Sequence, residues 1–230
     1  VIVPPVLLCM AELGLRMGGF GVSKQLFLKR EVRGETVYTT NHHAFFQQFY
    51  TSPITVPPFD FSMPAAKPPG TYRIFVFGSS AAQGAPMPEF AFSRILDTML
   101  QAERHGMKTE IHSLAICGSN SHVMRAAAKA CAACDPDLFL IYMGNNELDP
   151  TIANAIVWDW LPPWLALQCL RLGVALNDSR LVQMLHGAAN PADPDRPPKP
   201  SGGTRDPDRA YAYYRANVND MCAFAKEAGA

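Results

Sequence analysis

The sequence predicts a doubly wound α/β domain. Three apolar strand segments alternate with two helical ones, and each strand runs into a loop of glycine and small polar residues. The first strand is the run Arg73-Ile74-Phe75-Val76-Phe77, which ends on Gly78-Ser79-Ser80. Phe92, Ile95, Leu96, Met99 and Leu100 recur at helical spacing behind Pro88, which predicts a helix over about 88–104. A second strand is expected over 111–116. Ser119, Asn120 and Ser121 are cap residues that open an alanine-rich helix, and Asp135-Pro136-Asp137 stops it. Residues 138–143, Leu-Phe-Leu-Ile-Tyr-Met, form a third strand with almost no polar alternation. Strands this apolar are expected to be buried on both faces, as in a parallel sheet covered by helices.

Less regular sequence flanks this unit. Residues 1–20 open on the apolar run Val1 to Met10, too short to span a bilayer, with Glu12 close behind. It reads either as a buried segment or as the end of a membrane anchor, and the anchor is the expectation carried forward. Residues 21–70 mix polar and aromatic patches and end in Pro64, Pro68, Pro69 and Gly70. They are expected to form an irregular extension with a boundary near Gly70. A partial α/β domain then covers 71–230, with an insertion at about 151–207. Helix-like sequence in the insertion runs to about His186, and a Pro/Asp/Gly/Ser-rich surface loop follows over 191–207. Tyr211, Tyr214, Val218, Met221 and Ala225 mark a last helix that ends at Gly229, a natural C-cap. A further strand is expected to follow that helix, so the domain is expected to be incomplete at its C-terminus.

Composition removes several classes of function. Lysine plus arginine equals aspartate plus glutamate at 20 each, so no basic face marks a nucleic-acid binder. The six cysteines lack a secreted disulfide spacing, and Cys131 and Cys134 lie in an alanine-rich helical run and read as core residues. The six histidines are scattered and suggest no metal site. No cofactor is expected.

Ligands of open α/β sheets bind outside the carboxyl ends of the strands. Here those ends carry Gly78-Ser79-Ser80, Cys117-Gly118-Ser119-Asn120 and Gly144-Asn145-Asn146-Glu147. Each alone is ordinary turn chemistry, but the three converge on one edge. A phosphate cradle would need GxGxxG spacing or a P-loop lysine, and residues 78–84 have neither. Acyl transfer accounts for the residue types. A serine oxygen attacks a carbonyl, and the oxyanion that develops needs preorganised N–H donors. Ser80 would be the nucleophile and give its own N–H, Gly118 a second N–H, and Asn146 a side-chain amide. Ser79 would shape the turn, with Gly78 and Gly144 in support, and Glu147 would be a structural carboxylate bonded to nearby backbone N–H groups.

The segments FVFGSSAAQG, LAICGSNSH and IYMGNNE resemble the first three sequence blocks of the SGNH (GDSL-type) hydrolase superfamily. The phrases KPPGTYRIFVFGSSAAQG and DLFLIYMGNNEL are most similar to a bacterial, membrane-anchored branch that often carries C-terminal helical repeats. The resemblance covers about 71–149, and more loosely the last helix. It implies a flavodoxin-like three-layer sandwich with a parallel sheet, and Ser80, Gly118 and Asn146 in the roles just given. It implies an esterase, lipase or deacetylase acting on a lipid, acylated-carbohydrate or small-molecule ester. An O-acyltransferase, in which a sugar hydroxyl replaces water, and a non-catalytic binding or scaffold domain on the same fold are the alternatives. The implied location is membrane-associated, with an extracytoplasmic domain.

The sequence departs from the family pattern at three points. Ser79 and Glu147 stand where many members have Asp. The late Asp-x-x-His block that carries the family's base does not occur in the chain. His122, at the start of the second helix, is a cap or a second line of hydrogen bonding behind the site, with the base role as the alternative. His112 is expected to be semi-buried on its strand, and His42, His43 and His105 to lie on the surface. The aromatic patch Trp158–Trp164 is expected to pack as core, the alternative being an acyl pocket or a lipid contact.

Overall fold

A computed structural model of the chain describes residues 3–50, 54, 58–103, 108–148, 160–189 and 206–230. The N-terminal part holds α1 (Val3–Met17), β1 (Phe27–Val32), β2 (Glu35–Thr40), α2 (His42–Gln47) and β3 (Ser62–Pro64). The α/β part follows with β4 (Thr71–Gly78), α3 (Ser80–Gln83), α4 (Phe92–Ala102), β5 (Lys108–Ser113), α5 (Ser121–Cys131), β6 (Leu138–Tyr142), α6 (Pro163–Leu176), α7 (Arg180–Ala189) and α8 (Pro207–Ala228).

The sheet of the α/β part is parallel, in the order β5-β4-β6. The chain steps from β4 outwards to β5, then crosses back over β4 to β6. Crossovers of this kind are right-handed, so two of them running in opposite directions place α4 and α5 on opposite faces. The winding reverses at β4, and the crevice at the carboxyl ends of β4 and β6 is the switch point where such sheets bind ligands. Buried Phe75 and Phe77 of β4 join Val123, Met124 and Ala127 of α5 and Met221 of α8 in the main core. Asp206 caps the start of α8, and Gly229 closes its end in the left-handed conformation, φ 86°.

Several expectations change. Strand β6 was expected to be buried on both faces, yet it is half-buried from Leu138 to Ile141 and exposed at Tyr142, because among the described residues nothing pairs with its outer edge. The described part of residues 21–70 is not irregular: β1, β2 and β3 form an antiparallel meander. The β1–β2 hairpin turns on two residues, Arg33 and Gly34, both at positive φ (54° and 82°), the geometry that suits a two-residue hairpin. This meander shares the main core through Leu26, Phe27 and Met63. It is also clamped to the parallel sheet by Arg73, which is 0% exposed. The guanidinium of Arg73 donates to Pro64 O at 3.2 Å, Cys134 O at 2.8 Å and Glu110 Oε2 at 3.2 Å. His42, expected on the surface, is buried among Phe46 and Phe61 beneath the meander, and burial holds it neutral with a pKa down to about 4. His43 is exposed, and His105 lies outside the described residues.

Helix α1 docks on α7 through Glu12, whose carboxylate accepts from Arg180 N, Leu181 N and the Ser179 hydroxyl at 3.0, 2.9 and 2.8 Å. It thus satisfies the free N–H groups that open α7. No helix among the described residues is long and apolar enough to cross a membrane. In the aromatic patch, Trp160 and Trp164 are 79% and 66% exposed rather than packed as core, because α6 turns Ala166 and Leu167 inwards against Tyr213 instead. Trp158 and the 191–205 loop lie outside the described residues. Cys131 and Cys134 are free and buried in the core, and burial pushes both thiols up.

Candidate active site

Strand β4 can approach β6 closely only because it ends on Gly78. A Cβ there would stand 2.4 Å from both Ala82 Cβ and Tyr142 O. The chain then turns at once into α3, a single short helix of four residues closed by Gly84 at φ 83°. That turn separates two adjacent serines. Ser79 is 1% exposed, and its hydroxyl lies 2.8 Å from Asn145 Oδ1, to which it donates across the switch-point crevice. Ser80 is half-buried, and its hydroxyl has no hydrogen-bond partner among the described residues.

The loop after β5 is bonded from every side. Gly118 takes a positive φ of 73°, and the Ser119 hydroxyl donates to Gly78 O at 2.9 Å. The Asn120 side chain caps α5 by accepting from His122 N at 3.1 Å. From the β6 loop, Asn146 Nδ2 donates to Ser119 O at 2.9 Å, which holds the amide in place. An amide nitrogen carries two hydrogens, so one N–H remains beyond this bond. Glu147 accepts from Ser121 N at 2.8 Å and from the Ser121 hydroxyl at 2.7 Å. Burial raises its pKa, and the two bonds from Ser121 oppose that rise. Gly144, at φ 133°, turns the chain beneath Tyr214, whose hydroxyl donates to Met143 O at 3.2 Å.

The structure therefore brings the residues of the three strand ends to one edge: Gly78, Ser79 and Ser80 with Gly144, Asn145 and Asn146 across the crevice, and the Gly118 loop tied to both. It does not bring a histidine to Ser80 by any described hydrogen bond. His122 is turned inwards: its Nδ1 is 3.0 Å from Asn217 Nδ2, its ring meets Tyr213, and burial followed by the fields of Arg171 and Arg125 lowers its pKa to about 4. His112 stacks on Phe61 at 4.5 Å, beside Glu110.

Two residues of this network were not among those the sequence singled out. Gln83 is 4% exposed, and its Oε1 accepts from Cys117 N at 2.7 Å, fixing the peptide next to Gly118. Asn217, fully buried on α8, donates to the Ser121 hydroxyl at 3.0 Å. A glutamine inside the small-residue run SAAQG was the available signal for the first. Nothing local marked the second, which lies 96 residues from its partner.

No protein-family model matches the chain, and no curated protein matches it. Among solved structures, the chain is similar at low identity to TesA, with a TM-score of 0.33 and 17% identity over 67% of this chain and 74% of that one. It is likewise similar to AlinE4, described as an SGNH-hydrolase family esterase, with a TM-score of 0.31 and 19% identity over 70% of this chain and 74% of that one. Likeness at this level assigns no residue a role.

Proposed function

We propose that this chain carries the nucleophile and oxyanion elements of an SGNH-type serine hydrolase acting on carboxylic esters. One observation carries the reading. Ser80, half-buried at the switch-point crevice, has a hydroxyl with no hydrogen-bond partner among the described residues, while the groups around it are bonded in place. Ser80 would attack the ester carbonyl. The N–H groups of Ser80 and Gly118 and the remaining N–H of Asn146 would receive the oxyanion, and water would release the acyl group. An O-acyltransferase would differ only in the acceptor. Glu147 and Ser79 would hold the loops without touching substrate. A lipid, an acylated sugar or a small ester is the class of substrate, and the exposed Trp160 and Trp164 suit an acyl chain or a lipid surface. Membrane association through the N-terminal segment is part of the same proposal.

A second reading is a binding or scaffold domain on the same fold. It is favoured by one observation: no described histidine is bonded to Ser80, and a base must come within about 3 Å of the proton it takes. Labelling with a fluorophosphonate serine-hydrolase probe decides between them. It is run on this chain beside Ser80→Ala. Labelling that Ser80→Ala abolishes supports the hydrolase. A folded protein that takes no label supports the binding domain.

A further inference from the structure

A second cavity, of about 490 Å³, opens between α5, α6 and the segment that leads into β1, with His122 and Asn217 in its wall. Its charge is one-sided. Lys24, Arg125, Lys129 and Arg171 line it, against the single carboxylate of Asp178. That carboxylate is already engaged: it accepts from Lys24 N at 2.7 Å and lies 3.5 Å from the Arg16 guanidinium. Behind the wall, the guanidiniums of Arg125 and Arg171 share one further carboxylate, Asp220, at 2.5 and 2.8 Å. One carboxylate leaves two guanidiniums with a net positive charge. Nε and Nη2 of Arg171 are closed to solvent with no hydrogen-bond partner among the described residues, so the 2.8 Å contact with Asp220 is a charge contact without hydrogen-bond alignment.

The electrostatics agree with the geometry. Burial first, and then the Arg125 charge, lower the pKa of Arg171 against the pull of Asp220. The same two arginines help to keep His122 neutral. Positive charge is thus in excess in a partly desolvated space, where an anion is worth more than it is in water. Apolar side chains, Phe45, Leu170 and Val174 among them, line the same volume beside neutral polar ones such as Gln48 and Gln168. The space exceeds what a bare inorganic ion fills.

We propose that this cavity binds a small organic oxyanion, a phosphorylated or carboxylated molecule, with its anionic head on Arg171, Arg125 and Lys129 and its body along Phe45 and Val174. Guanidinium pairs suit such heads because their forked donors match two oxygens at once. The site is separate from Ser80 and does not depend on the ester-hydrolase reading. Its wall nevertheless touches the candidate active site, since Asn217 bonds the Ser121 hydroxyl that Glu147 also holds.

The test is a thermal-shift and calorimetric titration of the chain with phenyl phosphate, benzoate and, as the neutral control, benzyl alcohol, at ionic strength held constant with sodium chloride. Saturable binding of at least one anion, and none of the alcohol, is expected. Preference for phenyl phosphate assigns a phosphate head, and preference for benzoate a carboxylate. Arg171→Gln is expected to weaken binding by about tenfold or more, the scale of one charge-assisted bidentate contact. Lys129→Gln, an exposed change on α5 that leaves the fold intact, is expected to weaken it several-fold and decides the matter should Arg171→Gln not fold. No saturable binding by either anion, or binding that Lys129→Gln and Arg171→Gln leave unchanged, overturns the proposal.

Discussion

Two serines sit side by side at the end of β4, and their surroundings are opposite. Ser79 is sealed from solvent and spends its hydroxyl on Asn145, whereas Ser80 is half-buried and spends its hydroxyl on nothing described. The loops repeat the contrast on a larger scale. The loop after β5 is held by Gln83, by the Gly78 carbonyl, by Asn146 and by Glu147, while the hydroxyl on the turn into α3 has no partner among the described residues. On the proposed reading that hydroxyl is the nucleophile, and fixed donors around it are what oxyanion chemistry requires, because the donors must not reorganise while charge develops.

The largest effect should come from splitting the serine pair. Ser80→Ala is expected to abolish fluorophosphonate labelling while leaving stability within about 0.5 kcal/mol. Ser79→Ala is expected to do the reverse: labelling survives, and stability falls by about 1 kcal/mol with the loss of one hydrogen bond. Denaturant titration beside the labelling assay reads both, and the opposite pattern would invert the comparison. Gly78→Ala comes next. Its Cβ would meet Tyr142 O, a backbone atom that cannot swing away, and Ala82 Cβ, each at 2.4 Å. The crevice must then open, at an expected cost of about 3 kcal/mol in urea unfolding.

The bonded side of the comparison can be probed with acid. His122 stands behind the β5 loop, packed against Asn217 and Tyr213 and facing Arg171 and Arg125, and its pKa is lowered from 6.5 to about 4. A lowered histidine contributes stability that is present above pH 6.5 and is lost as pH falls towards 4. His42 behaves in the same way in the N-terminal meander. Melting temperatures of His122→Asn and of the parent protein are therefore expected to converge as pH falls from 7 to 5. A gap that stays constant with pH would mean that His122 is not held neutral.

How much of this was legible follows from range. The ends of β4 and β6 could be read because each is a local event: an apolar run stopped by glycine and small polar residues, 78–80 and 144–146. The second strand was misplaced: expected over 111–116, it covers Lys108–Ser113, so Gly118 lies five residues beyond its end, because the strand is polar (KTEIHS) and the apolar run after it belongs to the following loop. The Gly229 cap is local too. The meander of β1–β3 was hidden because its strands are half-exposed, lack clean alternation and turn on Arg33-Gly34 rather than on Asn-Gly. Its partner in the α/β part is a buried arginine, and a lone Arg73 in a strand does not announce a clamp. His42 was misplaced for the same reason, since only Phe61, 19 positions on, covers it with Phe46.

Gln83 offers a smaller but more specific test. Gln83→Leu removes the acceptor for Cys117 N and frees the peptide next to Gly118. The labelling rate is expected to fall about tenfold, less than the loss of an oxyanion donor itself. Gln83→Glu keeps an acceptor oxygen and should restore most of the rate. Equal losses in both variants would make Gln83 a packing residue only.

The smallest effect expected is at Glu147, and its sign is informative. Burial raises its pKa above the ordinary carboxyl value, while Ser121 N–H and the Ser121 hydroxyl, itself bonded by Asn217, favour the charged form. A raised carboxyl contributes stability below the unfolded pKa and loses it as pH climbs through the folded one. Glu147→Gln cannot ionise, so it escapes that loss. The variant starts below the parent protein in acid, where one good acceptor oxygen is gone, and closes the gap as pH rises through the weakly acidic range. A gap that widens with pH instead would show that the Ser121 bonds outweigh burial, and that Glu147 holds the β5 loop as a carboxylate.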